Sequence, residues 1–256
     1  MINRIAVSGL NGSNHILRTL QDNISNVRTT AFKGERAATL DAWQMAYNGG
    51  GARPEAVTRN LTQGPLQRTG NVLDLALEGP GYFAARDGES QVFTRAGSFS
   101  VGAEGQILTD TGHALLGYPG LAADKVEGDA PGVLKLPLPL ANDASLTIDT
   151  KGQVLLEDPR GATLIGTVAV AKFQSESDLE PLSMSDFGAT EGSGAPIFGA
   201  ADGNRTGMYQ QQLEQANVNL MEQLTALISV QNAFSAQAKS LSTYDDMIKT
   251  SLSDMR

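Results

Sequence analysis

Leu220-Met221-Glu222-Gln223-Leu224-Thr225-Ala226-Leu227-Ile228-Ser229-Val230-Gln231-Asn232-Ala233-Phe234 opens a C-terminal stretch in which Leu220, Leu227, Phe234, Leu241, Ile248 and Met255 recur every seven residues. A strict seven held this long predicts a helix with a narrow apolar seam made for another helix. The positions four residues on read Leu224, Gln231, Ala238, Asp245 and Leu252, so a second row built from them is only half apolar. Such a seam does not complete itself in isolation and calls for partners.

One partner stands at the other end of the chain. Leu10, Leu17 and Ile24 repeat every seven residues, with Ala6, Ser13, Leu20 and Val27 interleaved. Residues 1–40 carry five basic and two acidic side chains, whereas residues 210–256 carry three basic and five acidic. Opposite signs favour pairing, though exposed charges contribute little.

Between the ends the texture changes. From about residue 66, short runs of β-formers alternate with turn signals such as Asp87-Gly88, Glu104-Gly105, Thr111-Gly112 and Lys151-Gly152, the pattern of an antiparallel β domain. In Leu73-Asp74-Leu75-Ala76-Leu77 the leucines share one face at a period of two, which predicts a strand with one side buried. Two glycine-rich stretches, Asn48 to Pro54 and Gly188 to Gly207, read as hinges. The expected fold class is α+β, with terminal helices pairing as a coiled-coil-like base around an inserted, mainly antiparallel β domain. The expected segments are an N-terminal helix over 1–40, a linker and extended segment over 41–65, the β domain over 66–187, a glycine-rich linker over 188–207 and the heptad helix over 208–256.

Composition narrows function. The chain has 256 residues and a net charge of −9, and residues 41–256 alone carry −12. Phosphate binding needs clustered Lys and Arg, so nucleic acid is excluded as a partner. No cysteine is present, which removes disulfides, thiolate metal sites and cysteine nucleophiles. No run of 18 apolar residues crosses a membrane, and the N-terminus lacks the apolar core of a signal peptide.

Catalytic machinery is not in view. His15 and His113 stand alone, and the run Gly49-Gly50-Gly51 has no following Lys-Ser or Lys-Thr to make a phosphate loop. Asp245 and Asp246 are helix neighbours that point about 100° apart, and Glu78, Asp87 and Glu89 read as solvated carboxylates. The expectation is a protein that is not an enzyme and that uses no metal and no cofactor.

Four blocks carry a resemblance. Asp22-Asn23-Ile24-Ser25-Asn26-Val27-Arg28-Thr29-Thr30-Ala31-Phe32-Lys33 resembles the N-terminal signature of the bacterial flagellar rod and hook proteins, in which Gly is usual where Ala31 stands. Gln63-Gly64-Pro65-Leu66 through Gly79-Pro80-Gly81-Tyr82-Phe83, Thr94-Arg95-Ala96-Gly97-Ser98-Phe99 and Leu213-Glu214-Gln215-Ala216-Asn217-Val218-Asn219 are similar to later blocks of the same family. Asp22, Ser25 and Ala31 depart from its pattern. If position 31 adopts a positive φ, Ala carries a strain of about 1 kcal/mol there.

The resemblance implies a structural subunit of the flagellar axis, the basal-body rod ahead of the hook. Such a subunit assembles helically through its terminal helices, transmits torque and lines the export channel. It implies self-association and contact with other rod and hook proteins. It also implies passage through the type III export apparatus without a cleavable signal, and contact with rod cap or ring proteins. The location implied is the periplasm-spanning rod or the extracellular hook. The residues assigned to the assembly interface are Leu10, Leu17, Leu20, Ile24, Asn26, Val27, Phe32, Leu220, Leu224, Leu227, Gln231, Phe234, Leu241 and Ile248. A secreted fibre or adhesin of similar shape is the alternative from another class. One Trp and 5% aromatic residues give it few stacking groups for a ligand patch.

Overall fold

The computed structural model describes residues 2–39, 54–126, 130–137, 145–158, 161–203 and 205–253. Among the described residues it is α+β, with two α-helices and a large antiparallel sheet. The chain divides into two compact units, a helical one (residues 1–27, 34–60 and 218–256) and a β one (28–33 and 61–217). The glycines expected to hinge at 48–53, and the end of the heptad row at Met255, lie outside the described residues.

In the helical unit, α1 spans Ile2–Ser25 and α2 spans Leu220–Ser253. The start of α2 is set by Asn219, whose side-chain oxygen accepts from the Met221 N–H while its amide donates to Glu222. The bond from the Met221 N–H is the cap that an Asn before a helix is suited to make, and the contact with Glu222 fixes the Asn219 side chain in place. A two-stranded antiparallel sheet, Glu35–Thr39 with Pro54–Arg59, belongs to the same unit. An Arg59 to Glu35 ion pair at 3.0 Å crosses it.

The β unit is built on a 13-stranded antiparallel sheet. Its main path runs Ser145–Ile148, Gln153–Asp158, Gly161–Val168, Ala114–Pro119, Tyr82–Asp87, Ser90–Thr94, Asp186–Gly188 and Glu180–Pro181. Within 188–207, the stretch expected as a linker, Ile197–Gly199 is a strand paired with Val170–Lys172. Two small pairs, Leu75–Glu78 with Gly207–Gln210 and Leu66–Arg68 with Gln212–Glu214, stand apart from that sheet.

Period-two alternation explains the core. Phe83, Leu115, Val168 and Val170 join one apolar cluster, while their chain neighbours Tyr82, Ala84, Leu116, Ala169 and Ala171 join another. Successive side chains point to opposite faces, so these strands are covered on both sides. The same holds for Leu75-Ala76-Leu77, all buried. The expectation of one buried side there is corrected: on the second face Ala76 and also the polar Asp74 are buried, Asp74 through its bridge to Ser98 and its carbonyl's bond from the Gln211 N–H.

Candidate functional site

Two constellations hold the features expected to matter, one in each unit. In the β unit, the segment Arg28–Lys33 hydrogen-bonds along Glu214 to Asn217. The Ala31 N–H donates to the Glu214 carbonyl at 2.8 Å, and the Asn217 N–H donates to that of Phe32 at 3.3 Å. This brings Lys33 into the interior, 1% exposed. Its Nζ donates to the Glu214 carboxylate at 2.6 Å and to the Thr62 carbonyl at 2.9 Å.

Glu214, also 1% exposed, accepts at the same oxygen from the Gly64 N–H at 3.0 Å, and its second oxygen lies 3.6 Å from Nη1 of Arg95. The Arg95 guanidinium in turn sits 5.1 Å from the centre of the Tyr82 ring, whose hydroxyl donates to Glu176 at 3.2 Å. One buried carboxylate is thus flanked by two cations and a backbone donor, and one of the cations, Arg95, lies over a tyrosine ring. Gly64 is required here by close approach: a side chain on it would run into the Gln215 carbonyl.

Burial pushes the Lys33 ammonium below the usual lysine range, against the pull of Glu214, because a charge is costly away from water. Burial, then the negative Glu176, pushes the Tyr82 phenol above its ordinary value. Neither group is aligned with a nucleophile or an open cleft. The arrangement holds chain segments together.

In the helical unit the organising residue is Asn23, 2% exposed. Its side-chain amide exchanges two hydrogen bonds with the Glu35 backbone, at 2.7 and 2.8 Å, and donates to the Gln223 side chain at 3.0 Å. Ser13 donates to Gln237 at 3.4 Å. The partner number falls as the α1 number rises, so α1 and α2 run antiparallel. On α2 the half-buried positions are Gln223, Ala226, Leu227, Val230, Phe234, Gln237 and Leu241. The column partnering Leu227, Phe234 and Leu241 is therefore Gln223, Val230 and Gln237. It lies three residues beyond the seven-residue row, where the sequence pattern pointed four residues beyond.

Comparison with known proteins fits this picture. Residues 76–156 match the flagellar hook protein FlgE/F/G D1 domain, and residues 209–255 match the flagellar basal body rod FlgEFG protein C-terminal family. Over 95% of both chains the sequence is 31% identical to the flagellar basal-body rod protein FlgG of Agrobacterium fabrum. The chain belongs to the flagellar basal-body rod protein family. The rod protein FlgG of Caulobacter vibrioides is 29% identical over 96% of each chain. A hook protein FlgE of Rhizobium meliloti is 31% identical over 68% of this chain, but that match spans only 45% of the hook protein.

The residues of this rod protein assigned to an interface by sequence are distributed as follows. Leu20 is buried on α1, and Leu10, Leu17, Ile24, Asn26 and Val27 are half-buried. Phe32 is buried in the β unit. On α2, Leu227, Phe234 and Leu241 are half-buried while Leu220, Leu224 and Gln231 are exposed; Ile248 lies within the helix. Sequence reasoning passed over Asn23, Gln223 and Gln237, and over Lys33, Arg95 and Glu214. A signal for the second trio was present, since each sits in one of the four quoted blocks.

Proposed function

We propose that this rod protein builds a helical axial structure through its helical unit, with α1 and α2 as a coiled-coil-like base whose outward face meets neighbouring copies. The supporting observation is the stripe Leu220, Met221, Leu224 and Ile228, which is 39%, 70%, 37% and 60% exposed on a 34-residue helix. Spacings of three and four place these side chains on one face, and burying the part of each still exposed contributes about 0.5–2 kcal/mol, a fraction of the value for a fully exposed side chain. The assembly interface comprises Leu10, Leu17, Leu20, Ile24, Asn26, Val27, Phe32, Leu220, Leu224, Leu227, Gln231, Phe234, Leu241 and Ile248.

In this reading the base lines the export channel and carries torque, and the subunit arrives through the type III apparatus to meet other rod and hook proteins. Rod cap and ring proteins are further partners. The chain is not an enzyme. Polar seam positions such as Gln223 and Gln237 keep the helices from associating freely before incorporation, because polar seam residues lower stability while fixing register. The rod is favoured over the hook because the rod relatives match over nearly their whole length and the hook relative over less than half.

The test is replacement of Leu224 and Ile228 by Asp in the chromosomal copy. The expected result is a folded, exported subunit, no motility, and basal bodies with a truncated rod in electron micrographs. Normal rods carrying the variant would remove the α2 stripe from the interface.

A further inference from the structure

The strand Ser145–Ile148 ends the main path of the sheet, paired on one side with Gln153–Asp158. In an antiparallel pair, alternate residues turn their backbone groups toward and away from the partner. The Asp149 N–H donates to Gln153 at 3.1 Å, so the odd-numbered residues face that partner and Leu146 and Ile148 face outward. Such an edge offers N–H and C=O groups to any extended chain.

Gln210, the last residue of Gly207–Gln210, meets that edge with its side chain. Its Oε1 accepts from the Ile148 N–H at 3.2 Å, and its Nε2 donates to the Leu146 carbonyl at 2.9 Å and to the Val72 carbonyl at 2.9 Å. A bond to the N–H of one residue and to the C=O two residues earlier is what the N–H and C=O of a single residue in a parallel neighbouring strand make. The Met208 N–H donates to the Thr150 carbonyl at 3.0 Å, so the backbone of Gly207–Gln210, running antiparallel, covers the end of this edge while the Gln210 side chain covers its middle. Alongside lies a cleft of about 560 Å³ whose walls include Val72, Leu73, Leu146, Thr147 and Leu156.

We propose that Gln210 is an edge guard, a side-chain surrogate for a strand that denies the Ser145–Ile148 edge to a second copy of the chain. Its amide needs no strand partner of its own and stays anchored by Val72, so the edge is satisfied without being extended. Removing the amide opens two outward-facing backbone groups beside an apolar cleft, and strand addition between copies follows.

The experiment compares the full wild-type chain with Gln210→Ala by hydrogen exchange and sedimentation velocity over a concentration series. The Ile148 amide is expected to exchange at least tenfold faster in the variant, which also forms concentration-dependent larger species. Adding Thr147→Lys, a charge on the edge strand, is expected to restore the wild-type sedimentation profile. The proposal is overturned if the Ile148 amide is unchanged, if the variant stays as dispersed as wild type, or if the added Lys leaves the association intact. Should Gln210→Ala fail to fold, the wild-type exchange decides: an Ile148 amide as protected as Thr147 supports the guard, and one exchanging as an open edge rejects it.

Discussion

In the β unit a strand such as Tyr82–Asp87 has both faces covered, and Tyr82, Phe83, Ala84 and Ala85 are each no more than 1% exposed. In the helical unit α2 runs for 34 residues without one buried side chain among those described. Its partner α1 does bury residues, but Ser13, Thr19 and Asn23 are among them. The β unit buries apolar side chains on both faces of its strands and holds Lys33, Arg95 and Glu214 inside, while Val72, Val101, Leu182, Met184 and Ile197 stay exposed at its surface. The helical unit is held in register by polar bonds and leaves apolar surface unspent, the state expected of a surface that is finished by other subunits.

The comparison breaks most severely at Glu214. Replacing it by Ala leaves Lys33 and Arg95 buried without their counter-charge, and loss of one partner of such a pair costs about 3–5 kcal/mol. Denaturant melts should show that loss in the β unit, whereas a Lys33→Met, Glu214→Leu double variant should recover only the part due to Lys33, because Arg95 is still buried without its counter-charge. Lys33 also gives the pair a pH signature. Its folded value is depressed, so between that value and the ordinary lysine value near 10.5 the unfolded chain binds the extra proton. The contribution of Lys33 to stability therefore rises with pH across that window, and the difference between wild type and Lys33→Met should grow in favour of wild type on titration into alkali.

A smaller break is expected at Asn23. Asn23→Leu strands the Glu35 backbone groups and the Gln223 side chain, at a cost of about 1–3 kcal/mol. Helical circular dichroism should fall at lower denaturant than in wild type, with the β signal unmoved. Ala31 has φ +56°, the left-handed conformation in which a Cβ is strained. Ala31→Gly should stabilise the β unit by up to about 1 kcal/mol, less the loss of a fully buried methyl. Smallest of all is the effect of Leu224→Asp with Ile228→Asp on the isolated chain, within about 0.5 kcal/mol of wild type because both side chains are exposed.

Local periodicity carried the legible part of the fold. The seven-residue rows located α1 and α2, and glycine turns at Gly88, Gly105, Gly112 and Gly152 do adopt positive φ. What local pattern does not encode is which side of a row faces a neighbour. Leu224 looked like the better seam residue than Gln223, yet Gln223 is the half-buried one because it meets Asn23. Lys33 and Glu214 are 181 positions apart, and as isolated charges they read as solvated. Only the four blocks hinted that these residues converge. The strand Ile197–Gly199 was hidden for a different reason, since its residues pair with Val170–Lys172 inside a glycine-rich stretch that resembles a loop.

Residue-resolved hydrogen exchange on a dilute solution of the chain tests the contrast between the units most directly. Amides of Leu75 to Leu77 and of Leu115 and Leu116 should exchange only through global unfolding, and those of α2 from Leu227 to Leu241 at least a hundredfold faster. Protection of α2 equal to that of the β core in the dilute chain would contradict the account, because the helical unit would then be complete before any other subunit reached it.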